Sequence, residues 1–146
     1  MRENKFRAQD FTKTWNYGYV AMGNESAVLF PKMKDGSVMI GIQIYVLPET
    51  VGLFTGLKDK KDKEIYEGDI MYSEFSDGSG GYSLIGWNER EASFGMMDAY
   101  SYQSKQEGYD FPEFKNYVLI AHLQKALICE VVGNIYDKPE LMNVKK

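Results

Sequence analysis

The sequence predicts a mainly β protein: a small barrel in its C-terminal part, preceded by an N-terminal β-hairpin extension. Three observations carry this. Aromatic residues make up 14% of the chain and there are 14 glycines, a balance that favours strands and turns over helices. Several short stretches alternate apolar and polar residues at period two. Between residues 69 and 97 three such stretches follow one another with turn signals between them, the pattern of a meander closing into a small barrel.

Two parts are expected, residues 1–54 as the β extension and residues 55–146 as the barrel. In the first, residues 5–8 and 14–20 alternate as strands, with Trp15, Tyr17 and Tyr19 sharing a face. A hairpin is expected over residues 27–46. Its turn signal is Lys34-Asp35-Gly36, and its second arm is a strand over 37–46 with Val38, Ile40, Ile42, Ile44 and Val46 on one side. Pro31 has no N–H for a ladder, so the first arm is an edge strand or stops there. Residues 55–70 run from an apolar stretch through a charged turn to Glu67-Gly68-Asp69. Gly56 and Gly68 bracket that turn and supply positive φ, and its charges place it in water. Asp69 follows Gly68 and is set to accept backbone N–H bonds there.

Beyond this point strands are expected over 69–75, 82–87 and 92–97, with a flexible polar loop over 76–81. Residues 100–114 read as a long loop. Residues 117–127 suit either a strand or a short helix. Residues 128–136 form a last strand in which Cys129, Val131, Gly133 and Ile135 alternate with Glu130, Val132 and Asn134.

Composition narrows the functions, with a nucleic-acid-binding small barrel kept as the alternative. The net charge of −4 weighs against a nucleic-acid partner, because phosphate binding usually needs a basic face. One cysteine makes no internal disulfide, which fits a reducing cytoplasm. No apolar run approaches the ~20 residues that span a bilayer, so a soluble intracellular protein is expected.

Three pieces of the chain are similar to the YopX family of bacterial phages and prophages. Lys5-Phe6-Arg7-Ala8-Gln9-Asp10 stands where the family shows Lys-Phe-Arg-Ala-Trp-Asp. Thr55-Gly56-Leu57-Lys58-Asp59-Lys60-Lys61-Asp62-Lys63-Glu64-Ile65-Tyr66-Glu67-Gly68-Asp69-Ile70 follows its central motif. Val131-Val132-Gly133-Asn134-Ile135-Tyr136-Asp137-Lys138-Pro139-Glu140-Leu141 follows its last one. Gln9 replaces a tryptophan, Phe54 stands where tyrosine is common, and Lys61-Asp62 replaces Asn-Gly. The turn there is therefore expected to be looser or of another type. The resemblance implies a Src-homology-3-like barrel and a phage or prophage origin, and it transfers no catalytic residues. Its motif positions with structural roles are Gly56, Tyr66, Glu67, Gly68, Asp69, Gly133, Asn134 and Tyr136.

No P-loop, dinucleotide fingerprint or nucleophile elbow is present. His122 is the one histidine, so no multi-histidine metal site exists. A Cys129–His122 dyad is conceivable, against the plainer reading of Cys129 as a small core hydrophobe. Glu64, Glu67 and Asp69 cluster, but lysines interleave them as in a solvated turn. No enzyme and no cofactor are expected. Lys58, Lys60, Lys61, Lys63, Tyr72 and Trp87 form the candidate binding surface, with Tyr82 and Tyr100 completing an aromatic platform if nucleic acid is the ligand. The alternative for these rings is barrel packing. The preferred expectation is a non-enzymatic phage or prophage accessory protein, cytoplasmic in its bacterial host, that binds a protein partner and assembles with itself, because the apolar 27–46 hairpin needs cover.

Overall fold

The computed structural model describes residues 4–39, 41–109 and 129–144. The chain divides into two compact units, Met1–Gly56 and Leu57–Lys146. The first unit contains β1 (Phe6–Gln9), β2 (Trp15–Met22), β3 (Ala27–Pro31) and β4 (Ile44–Val46), and β5 (Gly52–Lys58) carries the chain onward. These strands lie in the order β4-β3-β2-β1-β5, antiparallel at each pairing described.

A small apolar cluster holds this sheet. Ala8, Ala27, Leu29 and Val46 are its buried core, with Val20, Ile44 and Val51 packed against them. Full burial of one such Leu or Val side chain contributes about 1.5–3 kcal/mol. Val46 reaches back to Asp10 in a single antiparallel bridge, and the Leu47 N–H donates to the Gln9 carbonyl at 2.8 Å. Gly18 sits under the Phe30 carbonyl, where a Cβ would collide with backbone. Gln9, the residue in place of a tryptophan, is buried, with Trp15 directly across the ladder. The Arg7 guanidinium lies 4.6 Å from the Trp15 ring centroid.

The expected 37–46 strand is corrected. The turn forms, with the Met33 N–H on the Ser37 carbonyl at 2.8 Å. Only Ile44–Val46 then pairs with β3, from Ala27↔Val46 to Leu29↔Ile44, and Val38 makes one isolated bridge to Lys32. Gly41 has φ +95°, which ends any extended ladder. Ile40 lies outside the described residues.

The second unit continues with β6 (Glu64–Tyr66), β7 (Asp69–Glu74), β8 (Gly80–Asn88), β9 (Ser93–Asp98), α1 (Ala99–Gln106) and β10 (Cys129–Asn134), then a short 3-10 turn at Pro139–Met142. Among the described residues β10, β7, β8 and β9 make an open antiparallel sheet in that order, not the closed barrel expected. The reason lies in its two apolar faces. Met71, Ile85, Met96, Cys129 and Val131 pack on one face with Ile65 and Leu57. Ile70 and Leu84 face the other way, onto Met142, Tyr102, Ile135 and Leu141. A barrel wall has one inside; this sheet is covered on both. A bulge at Val132 shifts the β10 register between Val131↔Met71 and Gly133↔Ile70 and lets Val132 join the second cluster.

Two loop expectations are also corrected. Residues 76–81 contain a tight turn: the Phe75 N–H meets the Ser79 carbonyl at 2.6 Å, Gly78 has φ +80°, and the Asp77 carboxylate accepts the Ser79 N–H. The 100–114 loop is helical in its first half, because Asp98 caps α1 by accepting the Ser101 N–H at 2.9 Å. Residues 110–114 and the 117–127 segment lie outside the described residues.

We expect Gly18→Ala to cost about 3 kcal/mol, since the new methyl meets backbone that cannot yield. Urea unfolding checks this, and a stability equal to the parent would contradict the close approach of β2 and β3.

Candidate functional site

The charged turn between β5 and β6 is built on Asp59. The Asp59 N–H donates to the Lys63 carbonyl at 2.8 Å and the Asp62 N–H to the Asp59 carbonyl at 3.0 Å. Asp62 takes φ +64°, a left-handed conformation that aspartate tolerates better than most residues. This is how the turn manages without Asn-Gly. Contrary to the expectation of a fully solvated turn, Asp59 is 7% exposed. Its Oδ1 accepts the N–H groups of Lys61 and Lys63 at 2.8 and 2.9 Å. Its Oδ2 accepts the Val131 N–H of β10 at 2.8 Å, across 72 residues of sequence. The Lys60 N–H adds a bond to the Cys129 carbonyl at 3.1 Å. Burial pushes the Asp59 carboxyl up, but the N–H groups of Val131, Lys63 and Lys61 outweigh it and hold it below the ordinary aspartate range.

The lysines find carboxylates close by. Lys58 Nζ lies 3.0 Å from Asp62. Lys60 and Lys61 both reach Glu130 Oε2, at 3.4 and 2.8 Å. The bond from Lys61 lowers the Glu130 carboxyl and raises the Lys61 ammonium. Lys63 is exposed. Glu130 stands across the ladder from Tyr72, and Tyr72 from Tyr82, with ring centroids 5.3 Å apart. Lys60, Lys61, Glu130, Tyr72 and Tyr82 therefore form one row across β10, β7 and β8. The Tyr72 ring also lies against Gly80, where a Cβ would strike it.

Trp87 does not join this row. It is five residues from Tyr82 on an unbroken ladder, so it points to the opposite face. There it meets Phe94 edge-on at 5.1 Å. A single platform of Tyr72, Tyr82 and Trp87 is thus corrected by the pleat itself. Tyr100 is exposed on α1.

The other motif residues converge on one corner. Asp69 is 1% exposed and its Oδ2 accepts the Tyr66 N–H at 2.8 Å. The buried Tyr66 donates its hydroxyl to Glu64 at 2.8 Å. Gly68 has φ +85°, gives its N–H to the Ile85 carbonyl and accepts from the Ile135 N–H, both at 2.9 Å. A Cβ on Gly68 would stand 3.1 Å from the Tyr136 ring. Asn134 opposes Asp69, and its Oδ1 accepts the N–H groups of Tyr136 and Asp137. Gly133 makes room for the Lys138 side chain, which crosses where a Cβ would be. Glu67 is half-buried beside Gly68, and Gly56 bends β5 with φ +87°.

Cys129 is 1% exposed, and its Sγ sits 3.0 Å from Ser73 Oγ inside the core. His122 lies outside the described residues. Among the described residues, no three His, Cys, Asp or Glu side chains are grouped to hold a metal ion. None of the described helices is long and apolar enough to cross a membrane.

Asp59 is the residue that sequence reading missed, although its position as first residue of a five-residue turn is shared by Asp10. We expect Asp59→Ala to cost about 2–4 kcal/mol, because three N–H groups lose a charged acceptor. The lowered pKa of Asp59 sets the pH sign. Its contribution is complete above the unfolded aspartate value of about 3.9 and is lost as pH falls through the lower folded value. Acid melts of parent and variant should converge there; parallel curves would contradict this.

No curated protein matches the chain. Among solved structures it is similar to protein EF1440 from Enterococcus faecalis, at 21% identity and a TM-score of 0.55, over 98% of this chain and 100% of that one. That likeness speaks to the fold alone. The family model described as YopX protein matches residues 5–143, from the first strand through the Asn134 corner, and the chain belongs to the YopX family.

Proposed function

We propose that this YopX-family chain acts by binding and self-assembly, as a non-enzymatic accessory protein of a phage or prophage in the bacterial cytoplasm. The observation that carries the reading is the 32–43 excursion. It leaves Met33, Val38 and Ile42 at 43%, 38% and 46% exposure, and Tyr45 beside it at 61%. Side chains of this kind gathered on one segment mark a contact surface.

The chemistry of the second unit supports the same reading. Its sole cysteine is sealed, and three of its four candidate lysines, Lys58, Lys60 and Lys61, sit on Asp62 and Glu130. Lysines already paired release less counterion on meeting phosphate, so a protein surface suits them better than nucleic acid. A Src-homology-3-like description of this unit draws support from the order β10-β7-β8-β9 and from the bonds between the 59–63 turn and β10.

Light scattering across a dilution series tests the proposal. The expected mass exceeds the 16.7 kDa of one chain, and Ile42→Glu should lower it while leaving the melting temperature within a few degrees. A parent protein that is one chain at every concentration would overturn it.

A further inference from the structure

We infer that the 32–43 excursion docks head to tail on the α1 surface of a second copy of this chain. The inference rests on the self-assembly reading and names the partner surface.

Charge is divided unevenly along the sequence. Residues 1–56 hold six Lys and Arg against five Asp and Glu, whereas residues 57–146 hold eleven against sixteen. The acidity of the chain therefore belongs to its second unit. In the excursion, Lys32 and Lys34 flank the apolar Met33, Val38 and Ile42. The one carboxylate among them is the exposed Asp35, so two lysines stand against one acid. It accepts the Ser37 N–H at 2.9 Å and the Ser37 hydroxyl at 2.6 Å. The segment presents an apolar centre with a basic rim.

The second unit presents the complement. Tyr100 and Tyr109 are each 64% exposed on and just past α1. The chain after β10 is tied to this helix, since the Val144 N–H donates to Gln103 Oε1 at 3.0 Å. The surface formed this way carries Asp98, Glu107, Asp137 and Glu140 against Lys105 and Lys138. It is aromatic and acidic.

Self-pairing of either surface sets like charges together, lysine on lysine or carboxylate on carboxylate, which costs affinity. Cross-pairing brings lysines to carboxylates and buries Tyr100 and Tyr109 against Met33, Val38 and Ile42. A contact of this kind joins two different patches, so it either closes reciprocally as a two-fold dimer or propagates into a ring or a filament.

A mixing experiment decides it. One double variant, Lys34→Glu with Ile42→Glu, spoils the excursion; another, Tyr109→Lys with Glu140→Lys, spoils the helix surface. Circular dichroism melts confirm that both fold. If either does not, Lys34→Glu and Glu140→Lys alone, at exposed positions, replace them. Each variant by itself should be a single chain by light scattering. A one-to-one mixture should yield a two-chain species, because each partner keeps the surface the other has lost. An assembling parent whose variants stay single when mixed, or a helix-surface variant that assembles like the parent, overturns the head-to-tail contact and leaves self-assembly standing. A single-chain parent overturns the self-assembly reading itself.

Discussion

A buried carboxylate, that of Asp59, ties the turn between β5 and β6 to the last strand of the second unit. An isolated charge so placed would be costly, and three N–H groups at 2.8–2.9 Å remove the cost. Two of those donors shape the turn itself, while the third belongs to Val131. The same side chain therefore closes a local hairpin and fixes where β10 begins. The neighbouring Lys60 N–H on the Cys129 carbonyl extends that seam by one bond. Around it Lys60 and Lys61 share Glu130 at the surface, where ion pairs add little stability but set the local charge pattern.

From this seam the two-faced sheet follows. With β10 held against β7, Cys129 and Val131 fill one face beside Met71 and Ile85. The bulge at Val132 then turns Val132 and Ile135 to the other face, where Met142 closes over Ile70 and Leu84. Polar groups finish the corner: Asp69 holds Tyr66, Asn134 holds the turn that follows, and Gly68 accepts from Ile135 while leaving space for the Tyr136 ring. Residues from the middle and the end of the sequence meet here, which gives the two later family motifs a common structural task. The exposed large apolar side chains include Tyr82 on β8 and Met33, Val38 and Ile42 of the excursion.

Much of this was legible in the sequence where local chemistry decided the outcome. Gly68 and Asp69 announced a pinned turn, Pro31 ended β3, and the change from Asn-Gly to Lys61-Asp62 announced a different turn type. Other features were hidden for physical reasons. The 37–46 stretch alternates like a strand, but Gly41 breaks the ladder and the pattern has nothing to pair with. The α1 helix buries only Ser104, so it has no apolar stripe to read; its signal is the short capping pair Asp98 and Ser101. Asp59 was concealed by the charges around it, which made a core role look implausible. The same five-residue turn recurs at residues 10–14, 33–37 and 75–79, each with an aspartate accepting backbone N–H bonds. Among these four turns, the Asp59 carboxylate accepts an N–H from a strand far away in sequence, whereas Asp10 reaches only the adjoining β2 through Asn16. The division of Tyr72 and Trp87 between opposite faces was readable in principle, since it follows from counting along β8.

Amide hydrogen exchange in the parent and in Asp59→Asn measures the seam most directly. If the carboxylate is what joins the turn to β10, the Val131, Lys61 and Lys63 amides exchange much faster in the variant, while the β8 amides of Leu84 and Ile85 keep their protection. Unchanged protection at Val131 would contradict the account, and so would a uniform loss across β8 and β10 together.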